Sequence, residues 1–210
     1  MEEKTVEEAY WEEWYKGKGA RRNCIGSVGM HRRWKWLMID MYLDDINHVI
    51  DVGCGSLIFW ARSDTPRRCC GKTTMIVCED YTGIDISETI LEKNKKNYPN
   101  LQFIHKDASQ RIEGLHKPIV FCLDLLFHIM DDDRFVEILE NLCYYSTNWI
   151  FIFTWIHPKK KGWVTDGVRL YYRPFEPYYH IFEEAGFELQ DIHQSPYDKR
   201  GAMIIFKKVK

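Results

Sequence analysis

Apolar residues recur every three to four positions in the first part of the chain, which is the spacing of an amphipathic helix. This spacing predicts one helix in residues 2–15, where the apolar residues lie among acidic ones, and a second helix in residues 31–42. The first helix has an aromatic face that includes Tyr10 and Trp14, and Gly17 marks its end.

The pattern changes at residue 48, from helical spacing to short runs rich in β-branched and aromatic residues. Such runs are typical of buried strands. Helical spacing returns between most of them, and Gly186 follows the last helix at the position where glycine commonly ends one. The predicted strands are residues 48–53, 81–84, 101–105, 118–123, 149–154, 187–192 and 202–206. The predicted helices between them are residues 87–97, 132–144 and 176–185.

Strands that alternate with helices form a parallel sheet with helices on both of its faces. Only residues 194–201 separate the last two predicted strands, which is too few for a crossover helix, so these two strands are expected to pair antiparallel. The sequence therefore predicts an α/β fold with a mostly parallel sheet and an antiparallel last strand.

Composition supports one folded unit with a small partner. With 210 residues, of which 45% are hydrophobic and 29% are charged, the chain is long and apolar enough to fold around one hydrophobic core. The 29 lysine and arginine residues nearly balance the 31 aspartate and glutamate residues, which leaves a net charge of −2. No global field attracts the chain to nucleic acid or to an anionic membrane, so a small or neutral partner is expected.

Cysteine usage and the first residues bear on the compartment. Seven cysteines, an odd number in a chain of this length, argue against a disulfide framework. The chain opens with Glu2 and Glu3 rather than with a basic and then apolar signal segment. Residues 150–156, one of the longest apolar stretches, are far too short for a membrane span. A reducing, cytoplasmic location is expected.

Glycines and carboxylates stand where the predicted strands end. The glycines of DVGCG at residues 51–55 follow the first strand, Asp85 ends the second and Asp107 ends the third. Open α/β sheets bind ligands at this edge, where glycines let the backbone approach and a carboxylate accepts hydrogen bonds from both hydroxyls of a ribose. Asp85 is predicted to bind a ribose, and Asp107 an adenine amino group. The alternatives are a helix N-cap for Asp85 and a solvated loop acid for Asp107.

A nicotinamide dinucleotide site would use a similar turn and acid, but two residues argue against it. The fingerprint G-x-G-x-x-G needs a third glycine for close helix packing beside the pyrophosphate, and Ile58 occupies that position. Asp51 places a negative charge beside the turn, where it would repel a pyrophosphate. The turn is therefore predicted to bind a different cofactor.

These residues resemble the class I S-adenosylmethionine-dependent methyltransferases, in the group of small-molecule methyltransferase domains. Each motif is short and degenerate, and their order at successive strand ends makes the combination specific. The resemblance runs from about Tyr10 to the C-terminus. Its motifs are VIDVGCG at residues 49–55, GIDIS at 83–87, HKDA at 105–108, FCLDLLFHI at 121–129 and FEEAGF at 182–187.

The resemblance implies a Rossmann-like, seven-stranded sheet with an inserted antiparallel last strand, S-adenosylmethionine as the cofactor and S-adenosylhomocysteine as the product. It implies that Gly53 and Gly55 line the methionine part of the cofactor and that Asp85 binds the ribose. Asp124 would face the methionine ammonium through its backbone or its carboxylate. The other implied cofactor-binding residues are Asp107 and Ala108 at the adenine, and Tyr15, Asp51, Cys54, Ile86 and Leu125.

Two departures from the family pattern are visible. Leu57 stands where many members have a third glycine. The distance from Asp51 to Asp85 is longer than the roughly 20 positions usual between such a turn and its acid, so an insertion is expected at residues 62–80. Its cysteines, at residues 69, 70 and 78, lack the C-x₂₋₄-C spacing of a zinc site, so free thiols on a surface loop or hairpin are expected and no metal is predicted.

Methyl transfer from a sulfonium is an in-line displacement that depends on positioning and on exclusion of water, so a base is optional. His128, just beyond the fourth strand, is the candidate general base; the alternative is a structural histidine that anchors the turn at residues 131–133. By resemblance, the aromatic N-terminal helix forms a lid over the cofactor, with plain core packing as the alternative. The residues assigned to acceptor binding are Tyr10, Trp11, Trp14, Trp155, His157, Tyr172 and Arg173.

The sequence therefore predicts one domain, with residues 1–45 as a helical lid and lead-in and residues 46–210 as the cofactor-binding core. The predicted function is S-adenosylmethionine-dependent transfer of a methyl group to an N, O or S atom of a small molecule. An RNA or protein methyltransferase with local basic patches, and a non-catalytic cofactor-binding module, are the alternatives. Neither a nucleic-acid partner nor a membrane is expected.

Overall fold

The computed structural model describes residues 5–17, 27, 29–60, 80–156, 162–165 and 169–209. Within these residues the chain forms five α-helices and two β-sheets. The helices are α1 (Val6–Lys16), α2 (Gly29–Asp40), α3 (Glu88–Asn97), α4 (Asp132–Tyr145) and α5 (Tyr179–Glu184). The strands are β1 (His48–Val52), β2 (Asp80–Asp85), β3 (Gln102–His105), β4 (Lys117–Leu123), β5 (Ser146–Trp155), β6 (Gly162–Thr165), β7 (Arg169–Tyr172), β8 (Phe187–Gln194) and β9 (Gly201–Lys208).

Seven strands form the main sheet, in the order β3-β2-β1-β4-β5-β9-β8. Neighbouring strands from β3 to β5 are parallel, and β9 runs antiparallel to both β5 and β8. The predicted Rossmann-like sheet with an inserted antiparallel last strand is confirmed. Chain order reverses direction at the boundary between β1 and β4, which is where open α/β sheets bind ligands.

Short polar side chains determine where three of the helices begin. Thr5, Ser87 and Asp131 precede α1, α3 and α4, and each side chain accepts a hydrogen bond from a backbone N–H in the first turn of its helix. Such caps stabilise a helix by about 1 kcal/mol each. Gly186 follows α5 with φ of 82°, in the left-handed conformation that commonly ends a helix.

Successive residues of the strands point to opposite faces of the sheet and build two hydrophobic clusters. On one face Val49 packs with Trp36 of α2 and Leu91 of α3. On the other face Ile50 packs with Phe135 of α4 and Phe182 of α5. The sheet is therefore covered on both sides, and its carboxyl-end edge remains accessible to a ligand.

Two stretches after β5 differ from the prediction. β6 and β7 form a separate antiparallel hairpin that the sequence pattern did not indicate. The helix expected from residue 176 begins as a 3-10 turn over Glu176–Tyr178, because Pro177 in its first turn brings a fixed backbone angle and no N–H donor. Of the insertion expected at residues 62–80, residues 62–79 lie outside the described residues, and Asp80 is the first residue of β2.

Candidate functional site

A cavity of about 420 Å³ lies at the carboxyl ends of the parallel strands. All eleven residues predicted to bind the cofactor line this cavity, together with His128. Sequence reasoning therefore placed distant parts of the chain at one location. The cofactor residues in question are Tyr15, Asp51, Gly53, Cys54, Gly55, Asp85, Ile86, Asp107, Ala108, Asp124 and Leu125.

The glycine turn after β1 approaches the cavity closely. Gly53 and Gly55 have φ of 77° and 52°, which glycine adopts without steric cost. A Cβ on Gly53 would lie 3.1 Å from Leu125, and one on Gly55 would lie 3.0 Å from the hydroxyl of Tyr15. The turn is thus a backbone surface that larger residues would block.

Leu57 completes the turn in the same unusual conformation. Its φ is 58°, in the left-handed region that leucine rarely adopts, and its side chain is buried in the core. The backbone therefore keeps the geometry of a third glycine even though the residue differs.

Asp85 connects the end of β2 to the glycine turn. Its carboxylate accepts hydrogen bonds from the backbone N–H groups of Gly55 and Ser87, both at 2.9 Å. Burial raises the pKa of Asp85, and these two N–H donors oppose the shift. The carboxylate is thus held in a fixed orientation at the cavity wall. A helix cap is provided by Ser87 instead, at the start of α3.

Asp51 lies beneath the turn and is almost fully enclosed. The indole N–H of Trp60 and the hydroxyl of Tyr81 both donate to the same carboxylate oxygen, at 2.7 and 2.9 Å. Burial raises the pKa of Asp51 to about 6, although both donors lower it. Asp51 therefore changes its charge in mildly acidic solution.

Asp107, after the end of β3, lines the cavity and also takes part in a chain of ion pairs. Arg134 of α4 pairs with Asp107 and also with Glu7 of α1, the latter at 2.9 Å. Ser109 donates to the other carboxylate oxygen of Asp107 through its backbone N–H and its hydroxyl. Asp107 is therefore an anchored carboxylate rather than a solvated loop acid.

Asp124 follows β4 with φ of 64° and meets a buried lysine. The Nζ atom of Lys35, on α2, is 2.6 Å from both carboxylate oxygens and lies 3.8 Å from the centre of the Phe153 ring. Burial lowers the pKa of Lys35, and Asp124 opposes that shift. Because Lys35 occupies the carboxylate, the geometry favours the backbone of Asp124 as the group that faces an ammonium.

Aromatic residues of α1 cover one side of the cavity. Trp11, Trp14 and Tyr15 line it, and the ring of Trp11 contacts the ring of His128 edge-on at 4.9 Å. Glu12 of α1 accepts hydrogen bonds from Thr89 at the start of α3. α1 is thus docked on the core by its polar residues as well as by its aromatic ones.

The residues predicted to bind the acceptor separate into four groups. Trp11, Trp14 and Trp155 line the cavity. Tyr10 and Tyr172 do not line it and instead stack on Trp14 and Trp155, respectively. Arg173 is buried against α4, where it pairs with Asp132 and donates to the carbonyl of Ile129, so its guanidinium is committed elsewhere. His157 lies outside the described residues.

Lys35 and Arg134 were missed by sequence reasoning. A lysine or arginine in an amphipathic helix is usually solvated, and no local pattern marks these two as partners of strand-end carboxylates. Each pairing joins parts of the chain that only the fold brings together. In the part of the chain that the structure describes, no helix is long and apolar enough to span a membrane, and no three potential metal ligands cluster.

No family model matches the sequence, and no curated protein matches it. Solved structures do match over nearly the whole chain. Magnesium protoporphyrin IX methyltransferase from Synechocystis, solved with bound S-adenosylmethionine, has a TM-score of 0.63 and 16% identity, with 100% of both chains covered.

Two further methyltransferase structures match this chain over most of its length. The 1,6-didemethyltoxoflavin-N1-methyltransferase of Burkholderia thailandensis has a TM-score of 0.67 and 13% identity, over 97% of this chain and 87% of that one. The N-methyltransferase NodS of Bradyrhizobium japonicum has a TM-score of 0.66 and 10% identity, over 98% and 100%. The chain therefore has the fold of S-adenosylmethionine-dependent methyltransferases.

Proposed function

We propose that the protein is an S-adenosylmethionine-dependent methyltransferase that acts on an N, O or S atom of a small molecule. The observation that carries this proposal is the placement of Asp107, Asp85 and the glycine turn along β3, β2 and β1, in one cavity. This order matches the order of the three parts of the cofactor, with adenine at Asp107, ribose at Asp85 and methionine at the turn. The solved neighbours named above include proteins crystallised with S-adenosylmethionine or S-adenosylhomocysteine.

The residues present fit this cofactor. A side chain at Gly53 or Gly55 would crowd Leu125 or Tyr15, so the glycines keep bare backbone at the cavity wall, against which a methionine moiety can lie. The carboxylate of Asp85 is oriented by two backbone N–H groups, and charge-assisted hydrogen bonds to two ribose hydroxyls are worth about 1.5–3 kcal/mol each. The cofactor would supply an electrophilic methyl group on a positively charged sulfur.

The chain's own contribution to the reaction is positioning and exclusion of water. The aromatic residues of α1 cover the cavity and keep its interior dry, which strengthens electrostatic interactions there. Holding donor and acceptor in line replaces a bimolecular encounter with a reaction inside one complex. His128 is the residue best placed to take a proton from an acceptor, since its ring lines the cavity.

A small acceptor fits the closed geometry better than a macromolecule. α1 lies across the cavity and is held there by contacts with α3 and α4. A protein or RNA substrate would need α1 to move away before its reactive atom reached the sulfonium. We therefore propose a metabolite-sized acceptor and α1 as the lid, with α2 belonging to the core that its Trp36 helps to build.

Cofactor binding tests the proposal directly. Titration calorimetry should detect binding of S-adenosylhomocysteine and no binding of NAD. Asp85→Asn should weaken the affinity for S-adenosylhomocysteine more than tenfold, because the ribose loses a charged acceptor. Glu92→Gln, an exposed change on α3, is the matched control and should bind like the wild type. Binding of NAD in place of S-adenosylhomocysteine would reject the assignment.

Activity needs a separate measurement. Transfer of label from methyl-labelled S-adenosylmethionine to a panel of metabolites, peptides and RNA identifies the acceptor class. Transfer to RNA or peptides in preference to metabolites would reject the small-molecule proposal. Tight cofactor binding without transfer to any member of a broad panel would indicate a binding module.

A further inference from the structure

The order of strands divides the cavity into a cofactor end and an acceptor end. Adenine, ribose and methionine are proposed to lie along β3, β2 and β1, so the reactive sulfur points onward to β4 and β5. The residues that line this second end are Phe127, His128, Phe153, Trp155, Asp198 and Arg200. The acceptor therefore meets side chains that follow β4, end β5 and precede β9.

The acceptor end is built from stacked aromatic rings. Phe127 stacks on Trp155 with ring centres 4.6 Å apart and planes within 18° of parallel. Tyr172 of β7 stacks on Trp155 in turn, at 4.9 Å and 30°. Trp155 is buried, and its indole N–H donates to Asp198 at 3.2 Å. The guanidinium of Arg200 also lies over the Trp155 ring, 4.2 Å from its centre. Trp155 is thus held between its neighbours, and Phe127 and Trp155 are the members of the stack that line the cavity.

In the described part of the chain, four charged side chains at or beside this end form two pairs. Lys35 is paired with Asp124 at 2.6 Å. Arg200 donates hydrogen bonds from two nitrogens to the carboxylate of Asp198, at 2.9 and 3.2 Å. It also donates to the hydroxyl of Tyr172 at 3.3 Å. Burial raises the pKa of Asp198, but the hydrogen bonds from Arg200 outweigh it and lower the pKa below its ordinary value. Each of these four charges therefore has a partner of opposite charge within the protein and needs none from a ligand.

Besides His128, the described lining of the cavity contains one other histidine, His31. Its ring contacts that of Tyr197, with centres 5.5 Å apart, on the turn that carries Asp198. It therefore adds a further aromatic surface to the wall. A charged ligand entering here would lose its hydration and gain no unpaired opposite charge, which is unfavourable.

Resting on the proposed function, we propose that the methyl acceptor is a neutral, flat aromatic molecule of one ring or two fused rings, held against Phe127 and Trp155, the two rings of the stack that line the cavity. The rings select a planar aromatic ligand because such pairs gain energy beyond their buried area. The self-paired charges select against acids and ammonium ions. The cavity, at about 420 Å³ for cofactor and acceptor together, limits the acceptor to a small ring system.

Four probes built on one bicyclic skeleton test this proposal by calorimetry on the full chain saturated with S-adenosylhomocysteine. They are 2-naphthol, 2-naphthoate, 2-(aminomethyl)naphthalene and decahydro-2-naphthol, which are neutral and flat, anionic, cationic, and neutral but not flat. We expect 2-naphthol to bind at least tenfold more tightly than each of the others. Equal or tighter binding of either charged probe, or of the saturated one, would overturn the proposal, and so would failure of all four to bind.

Two variants locate the effect. Phe127→Leu should weaken 2-naphthol binding at least fivefold and leave the affinity for S-adenosylhomocysteine unchanged. Asp198→Asn keeps an oxygen to accept from Trp155 but leaves Arg200 without its counter-charge, so it should raise the affinity for 2-naphthoate relative to 2-naphthol. An unchanged ratio of the two affinities in Asp198→Asn would show that pairing of Arg200 does not set the charge preference.

The proposed function and the proposed acceptor class are tested separately. Binding of S-adenosylhomocysteine is measured first, on the same sample. If it is absent, the proposed function falls. If it is present and 2-naphthol shows no advantage, only the acceptor class falls.

Discussion

At Leu57 the backbone conformation and the side chain have opposite requirements. The left-handed conformation costs a residue with a Cβ about 1–2 kcal/mol relative to glycine, while the buried side chain contributes to the core. We expect Leu57→Ala to destabilise the protein by about 2–4 kcal/mol, because packing is lost and the strain stays. Leu57→Gly should cost about 1 kcal/mol less than Leu57→Ala, because it relieves the strain.

Leu91 provides the matched control for this prediction. It is equally buried but lies inside α3, where glycine is about 1 kcal/mol worse than alanine. The order of the two variants in chemical denaturation should therefore be opposite at the two sites. The same order at both sites would show that the conformation of Leu57 carries no strain.

Asp51 makes stability depend on pH in a direction opposite to that of most carboxylates. Its pKa is raised by burial from 3.8 to about 6, so the folded protein binds a proton more tightly than the unfolded chain. The contribution of Asp51 is fully present below about pH 4 and is lost as the pH rises to about 6. Relative to Asp51→Asn, the wild type should lose on the order of 3 kcal/mol of unfolding free energy across this range.

Urea denaturation at several pH values between 4 and 7 measures this difference. The amide of the Asp51→Asn variant would still offer an oxygen to Trp60 and Tyr81, which donate to Asp51 in the wild type. If the curves of wild type and variant run parallel over this range, the buried carboxylate does not titrate there.

His128 can be tested as a base or as a contact of the lid. A general base raises the rate by about 10²–10⁴. Both His128→Asn and His128→Phe would remove such a base and lose this factor. Any rise of the rate with pH that depends on a neutral histidine would be lost as well. If the edge-on contact with Trp11 is what matters, His128→Phe keeps most of the activity and His128→Asn does not. We expect the second result, because a sulfonium donor reacts by proximity alone.

Individual residues of the candidate site could be predicted where a carboxylate directly follows a predicted strand. Asp85 and Asp107 follow short apolar runs, so their location at one sheet edge could be read from the chain. Lys35 could not be found in this way. It lies between Trp34 and Trp36 in a helix, and only packing against β5 shows that it is buried with Asp124.

Among the elements, α1 is held on the core in part by an arginine that belongs to another helix. Arg134 bridges Glu7 of α1 and Asp107 at the proposed adenine site. The guanidinium is partly exposed, so the pair with Glu7 contributes at most about 1 kcal/mol. That is enough to shift the docking of a short helix about fivefold.

Arg134→Met should therefore loosen α1 without unfolding the core. We expect limited proteolysis within α1 to be about fivefold faster than in the wild type, with an almost unchanged melting temperature. Lys16→Met is the control, because Lys16 pairs with Glu13 of the same helix and the change leaves the bridge from Arg134 intact. Equal cleavage rates in wild type and Arg134→Met would show that the ion pairs do not hold α1.

Elements with a strong repeating pattern were predicted to within a few residues. α4 was expected at residues 132–144 and is found at Asp132–Tyr145, since its apolar stripe and its Asp131 cap agree. The β6–β7 hairpin was not predicted. Its two strands have four residues each and pair with one another outside the main sheet, so no long buried run marks them.

For the whole molecule, alternation of strands and helices was sufficient to predict the sheet and its antiparallel last strand. The position of that strand, between β5 and β8, came from the family resemblance rather than from the pattern. The pairings across the cavity came from neither. They depend on which side chains meet when the sheet edge, α1, α2 and α4 pack together. The local sequence around a residue does not indicate which distant side chain it will contact.

The position of β9 has a consequence for synthesis of the chain. β9 leaves the ribosome after the other eight described strands, yet it occupies an interior place in the sheet and is bonded to β5 and β8 on its two sides. Until it inserts, β5 presents an unpaired hydrophobic edge, which is a template for aggregation. Arg200, directly before β9, reaches the acceptor end in the same step. A nascent chain therefore stays vulnerable to misassociation until the moment at which its proposed active site becomes complete.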